Sequence, residues 1–465
     1  MLHSGRGNNK LWSKMAESTS SSLTPNMPTR LFSHLRSMEW KLYFTLLLQD
    51  LLPSIYKGVR LHLLGSLPSD SGVNIASQVV WLSLAFEVLQ ELLIMPLYSI
   101  LGSTITNQAE TRNKVKTGLL LLVTAFALSS GALYVAAPTL VKAMAQNPDL
   151  LEVTTDYIRV EIFGFFVESV NDFLIIPVKL MKLNKVVLIS LLLKMILTIS
   201  LDVLLLSPLS FSFKLGVQGV AYSSLLTNLA TFLLLLILLH CHLPLHLLTW
   251  RTCSATWLRT WIRLGLFSGL DSLVRNLTYS IVILRSMNLL EEAGTYWTTN
   301  TFIWSYLLLP FLPLSEVLRV KVSTSTKKQP HCAALAPFLL LTLAIALLWL
   351  VSIPGWRFVF ASVLQVPKPE DNISLMLLLL PFYIAFMFGH LLTSVLYALG
   401  ETKLIALKSV VGNIAIGSFF ALTATKILPL SLTSVSLIFG CGLLLGTITA
   451  LALYGFVIRS LNYSL

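Results

Sequence analysis

Charge is scarce in this chain. Asp, Glu, Lys and Arg make up 12% of 465 residues, against 55% hydrophobic ones, and the mean hydropathy is +0.79. That scarcity excludes an ordinary soluble domain, where about a quarter of the residues are charged. Cysteine is also rare, with four in all. Cys241, Cys253 and Cys332 fall at or near the predicted cytoplasmic side and Cys441 lies in a span, so reduced thiols are expected rather than a disulfide framework. No Gly-x-x-x-x-Gly-Lys-Ser/Thr pattern occurs, which argues against direct ATP drive. No paired-His motif or serine elbow recurs near the spans, which points away from an enzyme. The run His240-Cys241-His242, with His246 following, has no second ligand cluster and reads as an interfacial loop rather than a metal site.

What the chain has instead is long apolar runs. A membrane span needs about 20 mostly apolar residues, and about twelve such runs are present: roughly Leu42–Leu64, Asn74–Leu101, Thr117–Ala137, Thr154–Leu180, Val186–Leu206, Gly216–Leu239, Trp261–Met287, Tyr296–Leu318, Cys332–Val351, Ile373–Ala398, Leu404–Ile427 and Leu432–Ile458. Continuous apolarity selects helices, because unsatisfied backbone is too costly in lipid. The net charge of +12 follows the connections. Lys and Arg collect after spans two (Arg112, Lys114, Lys116), four (Lys182, Lys185), six (Arg251, Arg259), eight (Arg319, Lys321, Lys327, Lys328) and ten (Lys403), and at the end (Arg459). The intervening loops hold Asp70, Asp149 with Glu152, and Glu291 with Glu292. By the positive-inside rule both termini are cytoplasmic in a plasma or inner membrane. The expected partners are a lipid bilayer and a small-molecule substrate, not nucleic acid, and the expected state is a monomer.

Four segments are expected. Residues 1–38, polar and Ser-rich, read as a disordered cytoplasmic tail, with no cleavable signal peptide. Residues 39–239 form a first six-helix lobe, 240–260 a cytoplasmic linker and 261–465 a second six-helix lobe. The stretch Lys185 to Ile196 opens span five and Lys403 to Ile414 opens span eleven. Each follows a short basic turn, roughly 220 residues apart, as in transporter folds built from repeats.

Several stretches are similar to the multidrug and toxic compound extrusion (MATE) family of the multidrug/oligosaccharidyl-lipid/polysaccharide flippase superfamily. Asp156-Tyr-Ile-Arg-Val-Glu-Ile-Phe-Gly164 resembles its span-four segment. Leu215-Gly-Val-Gln-Gly-Val-Ala-Tyr resembles its Gly-x-x-Gly-Ala-Ala entry to span six. Leu264-Gly-Leu-Phe-Ser268 resembles its Gly-Leu-Pro start of span seven, with Phe267 in place of Pro. Tyr397-Ala-Leu-Gly-Glu-Thr-Lys403 resembles its turn after span ten, one glycine short. They fall in family order over about residues 40 to 460. The resemblance implies an all-α polytopic membrane protein: two six-helix bundles related by pseudo-two-fold symmetry around a central cleft. It also implies alternating-access export of small organic compounds or xenobiotics by an antiporter coupled to H⁺ or Na⁺, with no other cofactor.

Ionisable residues within spans are functional candidates because they are costly there. Residues three, four or seven apart share a helix face. Asp50, Lys57 and Arg60 do so in span one, Glu87 and Glu91 in span two, and Glu161, Glu168, Asp172 and Lys179 in span four. Span five adds Lys194 and Asp202, and span seven Asp271, Arg275 and Arg285. Gly216 and Gly219, at the head of a span, permit a tight turn and close helix approach.

In the resembled family spans one and seven border the cleft, yet Lys57 falls where one branch carries an Asp and Arg275 where another carries a Glu. Thr198 matches an Asn position, while Asp202 and Asn171 or Asp172 match the family's polar residues. Two arrangements are open. The bases pair with carboxylates (Arg275 with Asp271, Lys57 or Arg60 with Asp50 or Glu87) while Arg285 snorkels to the interface, or the bases face the cleft and bind an anion.

The expected cleft residues are Lys57, Arg60, Asp271, Arg275, Trp304 and Tyr383, with Tyr306 as a further aromatic. The expected coupling residues are Glu168 and Asp172 first, then Asp202, Asp50 and His390, the last either a proton relay or a hydrogen-bonded core residue. Asn276-Leu-Thr278 is a chance glycosylation match inside a span, whereas Asn372-Ile-Ser374 reads as an outside loop. Beside the exporter stand a flippase or exporter for an anionic lipid-linked sugar or organic anion, and a non-transporting scaffold.

Overall fold

A computed structural model describes residues 38–67, 71–102, 104, 107–181, 183–242, 257–324, 331–399, 401–425 and 429–463. Most of the expected tail and linker, with His246, Cys253 and Gly400, lies outside them. The described residues are helical and contain no strand.

The order is α1 (Trp40–Gly65), α2 (Ser71–Ser77), α3 (Val79–Leu93), α4 (Leu97–Gly102), α5 (Gln108–Ala143), α6 (Leu151–Leu180), α7 (Asn184–Leu206), α8 (Val217–His242), α9 (Leu258–Tyr279), α10 (Arg285–Leu289), α11 (Ala293–Phe302), α12 (Phe311–Thr324), α13 (His331–Phe358), α14 (Pro369–Ala398), α15 (Thr402–Ala424) and α16 (Leu432–Tyr463). Asn107 caps α5 by accepting from the Glu110 amide at 3.3 Å, the side-chain cap expected of Asn at that position. Gly216 adopts φ 58° immediately before α8, which only glycine does without steric cost.

The chain is an integral, multi-pass membrane protein. Eight helical segments among the described residues are long and apolar enough to cross a bilayer, or nine if α11 and α12, bent by 51° at their junction, form one span. The predicted number of about twelve is therefore not reached on that criterion. The runs that fall short are α1, α6 and α9 with α10. They carry Lys57, Arg60, Glu161, Glu168 and Arg275 among the intramembrane charges, so residues that flag function also lower the apolarity by which spans are recognised.

Two hydrophobic cores hold the helices. One is built from residues 63 to 261, with Phe86, Phe126 and Phe173 fully buried, and the other mainly from residues 282 to 450, around Phe311, Phe338 and Trp356. The first helix of each half reaches into the opposite core. Leu61 of α1, with Met38 just before it, belongs to the second, and Trp257 and Trp261 at the head of α9 belong to the first.

Contact between the halves is close. The Trp261 indole donates to the Leu93 carbonyl at 2.8 Å. Gly265 and Gly269 lie against Leu92, where a Cβ at Gly265 would collide with the Leu92 carbonyl oxygen. Near the other end of these helices Gln78 and Asn288 exchange amide hydrogen bonds of 2.7 and 3.0 Å, and Asn288 also donates to the Met144 carbonyl at 2.8 Å.

Five-residue π-helical turns occur at Ser280–Leu284, Ile303–Leu307 and Val359–Val363. All three lie in the C-terminal half. Such turns shift the register of a helix face and often mark functional sites. Ile303–Leu307 carries Trp304.

Candidate functional site

A cavity of about 430 Å³ is enclosed by α1, α2, α3, α6, α7, α8, α11 and the Ile303–Leu307 turn. Its charged lining is Lys57 and Arg60 from α1, Glu161 and Glu168 from α6, and Lys194 from α7. The aromatic lining is Tyr56, Tyr157, Phe165, Trp297 and Trp304. Helical spacing explains the selection on each element: Lys57 and Arg60 are three apart, and Glu161 and Glu168 seven apart.

Most of these charges are internally matched. Arg60 Nε donates to Asp202 Oδ2 at 2.9 Å and Nη2 to Oδ1 at 3.0 Å, a bidentate fork, while Nη1 and Nη2 donate to the Ser224 and Ser223 hydroxyls at 2.9 and 3.3 Å. Asp202 is 0% exposed, so Arg60 lines the cavity while its acid lies behind the wall. This corrects two expectations. The partner of Arg60 is neither Asp50 nor Glu87, and Asp202 is committed to a cation with both oxygens. Lys194 Nζ donates to Glu168 Oε1 at 2.6 Å, which also removes Glu168 from the uncommitted acids.

Glu161 is 4% exposed, one helical turn after Tyr157, with Arg60 among its charged neighbours. Lys57 is exposed to the cavity and makes no hydrogen bond or ion pair among the described residues. Its charged neighbours are Glu168, Lys194, Arg60 and Asp50.

Other predicted residues lie elsewhere. Arg275 does not line the cavity; its Nη2 donates to Glu87 Oε1 at 3.0 Å, and both side chains are about two-fifths exposed. The expected partner Asp271 sits in α9, but its side chain is outside the described residues. Asp50 is exposed and away from the cavity lining. Asp172 is also exposed and off the lining, accepting from Gln90 Nε2 at 3.2 Å.

His390 packs against Phe386 and Phe311, with ring centroids 5.3 and 5.8 Å apart, again away from the cavity. Arg285, expected to snorkel, donates from Nε to the Ala143 carbonyl at 3.0 Å, a cation at the C-terminus of α5 where the helix dipole favours it. Asn372 is 0% exposed at the start of α14 and donates to Thr295 O and Thr299 Oγ1. It is a packing residue, not a loop sequon, because a tripeptide pattern carries no information about burial.

Trp304 lines the cavity, and Tyr383 supports it from behind. The Trp304 indole donates to Tyr383 Oη at 3.2 Å, and Tyr383 donates to Asn300 Oδ1 at 2.6 Å. Tyr383 is 1% exposed and does not line the cavity. Tyr306 is tied to the Ser54 carbonyl at 3.1 Å. Sequence reasoning placed Lys194 and Glu161 on polar stripes but did not select them as cleft residues. Ser223, Ser224 and Tyr157 went unselected because isolated hydroxyls in a helix give no signal until their partners are known.

Among solved structures the chain superposes on a multidrug resistance MATE family transporter of the MOP superfamily in its inward-facing conformation, with TM-score 0.77, 16% identity, and 91% of this chain and 98% of that one covered. The fold is that of the MATE transporters. An outward-facing MATE structure gives TM-score 0.66 at 16% identity, over 91% of this chain and 96% of that one. A MOP superfamily transporter from Pyrococcus furiosus, described by a binding pocket of reversed polarity and a different suggested function, gives TM-score 0.67 at 17% identity, over 92% and 98%. No family model and no curated protein matches the sequence. Within the MATE fold, this chain's cavity lies between α1 and the Ile303–Leu307 turn and draws its ionisable groups from the N-terminal half.

Proposed function

We propose that the chain is a secondary active transporter that carries a small organic compound, xenobiotics among them, across a plasma or inner membrane. It does so by alternating access, in exchange for H⁺ or Na⁺, as a monomer with both termini in the cytoplasm. The observation that carries this reading is the cavity. Its volume of about 430 Å³ falls in the range of small-molecule sites, and elements of both halves wall it. Repeat-built transporters place substrate at such a boundary.

Relatives in fold solved in inward- and outward-facing states support the mode of action, and this chain is nearer in helix arrangement to the inward-facing one, at TM-scores of 0.77 and 0.66. The Pyrococcus furiosus relative, with its reversed pocket polarity, supports separating the fold from the sign of the cargo.

For the coupling ion we assign Glu161. It is a buried carboxylate that lines the cavity and has no ion pair of its own among the described residues. Glu168 and Asp202 are engaged by Lys194 and Arg60, and Asp172 lies off the cavity.

The test is flux into proteoliposomes of two probes of opposite charge, 2-naphthoate and 2-naphthylmethylammonium, under imposed pH or Na⁺ gradients. Gradient-driven accumulation of one probe is expected in the wild type. Glu161→Gln should abolish the gradient dependence while leaving exchange at equal concentrations. Absence of carrier-mediated flux for both probes overturns the transporter reading, and unchanged coupling in Glu161→Gln overturns the assignment of that acid.

A further inference from the structure

The cations of the cavity are not equally committed, and the inequality indicates a substrate. Arg60 is held by Asp202 and two serines, and Lys194 by Glu168. Lys57 lines the same wall, is exposed to the cavity, and has no hydrogen bond or ion pair among the described residues. Leaving an ammonium without a partner at membrane depth is costly, and the neighbouring bases show that this fold can supply carboxylates where they are needed.

The acids do not mirror this. Glu168 is bonded to Lys194. The lining acid without an ion pair among the described residues, Glu161, is 4% exposed, whereas the lining cation without one, Lys57, is exposed. That asymmetry disfavours an organic cation, which would have to reach a buried acid or displace Lys194 from Glu168 before binding.

The rest of the wall combines aromatic side chains with uncharged polar ones such as Asn228, Asn300 and Ser305. Trp297, Trp304, Tyr56 and Phe165 face the space, and Trp304 is fixed in orientation by Tyr383. Aromatic side chains suit a planar body, and one unpaired ammonium among them suits one acid group.

Resting on the transporter reading above, we infer that the cavity takes an organic anion with a planar apolar body. Its acid group sits on the Lys57 ammonium and reaches toward Lys194, where Glu168 is the resident anion it competes with. Glu168 then has a role that a merely structural ion pair would not have: removing its charge helps the substrate.

The test is equilibrium binding to the full chain in lipid nanodiscs, using 2-naphthoate and 2-naphthylmethylammonium, which differ chiefly in the sign of their charge. Naphthoate should bind in preference to the amine. Lys57→Ala should weaken naphthoate by about ten-fold or more, the loss expected for one charge-assisted contact, while Lys57→Arg keeps most of the affinity and Glu168→Gln increases it.

Because Lys57 has no partner to orphan, Lys57→Ala should melt with the wild type, which separates loss of binding from loss of fold. Preference for the amine, absence of naphthoate binding, or equal naphthoate affinity in wild type and Lys57→Ala overturns the inference. The two readings fail differently. Carrier-mediated flux of the amine alone keeps the transporter and removes the anion, while naphthoate binding with no flux keeps the anion site and removes the transporter.

Discussion

The two halves of the molecule handle polarity in opposite ways. In the N-terminal half the cavity carries charges held in pairs that cross between helices, Arg60 with Asp202 and Lys194 with Glu168. In the C-terminal half the buried polar groups beside the cavity are neutral hydroxyls, amides and indoles. Tyr279 and Tyr296 share a hydrogen bond of 3.0 Å, Tyr383 links Asn300 to Trp304, and Phe439 packs against Tyr279, Tyr296 and Tyr383 with centroids 5.7 to 6.4 Å apart. An ion pair in a low-dielectric interior depends on having both members present, whereas a neutral network loses one bond at a time. The N-terminal half therefore supplies charge to the cavity, and the C-terminal half supplies a rigid surface.

The largest effect of breaking that contrast is expected at Arg60. Arg60→Ala leaves Asp202 fully buried without a counter-ion and should cost about 3–5 kcal/mol, seen as a large drop in melting temperature of the purified protein. Arg60→Ala with Asp202→Asn should recover much of it, since the orphaned charge is gone.

On the neutral side, Tyr383→Phe removes the hydrogen bonds to Asn300 and Trp304 and should cost about 1–3 kcal/mol for the buried partners left unsatisfied. The same thermal melt measures it, and a changed tryptophan emission should report the loosened indole. A loss at Tyr383 equal to that at Arg60 would erase the distinction between the halves. The smallest effect is expected for Glu87→Gln. Its pair with Arg275 is about two-fifths exposed on both sides, and such pairs contribute about 0–1 kcal/mol.

Much of this arrangement was legible in the sequence, and the part that was not has a definite cause. Periodicity assigns a residue to a face of its own helix, so Lys57 with Arg60 and Glu161 with Glu168 could be placed on single stripes. It says nothing about which helix stands opposite. The Arg60 partner lies 142 residues away, and two nearer carboxylates, Asp50 and Glu87, were equally eligible by spacing. Trp304 could be anticipated as a lining residue, but not that Tyr383 would stand behind it. Asn372 shows the same limit from the other side: the Asn of a loop-like Asn-Ile-Ser is fully buried because a neighbouring helix offers Thr295 and Thr299.

The seam between α3 and α9 has a mechanical consequence. Where helices interlock by side chains, sliding one past the other means lifting ridges out of grooves. At Gly265 and Gly269 there is no side chain to lift; backbone faces Leu92 directly. Hydrogen bonds hold the contact along its length instead: Trp261 to the Leu93 carbonyl, Ser268 to Glu91, Arg275 to Glu87 and Asn276 to the Leu84 carbonyl. The joint between the halves is therefore riveted rather than ridged, and any side chain at Gly265 would prise it open from within.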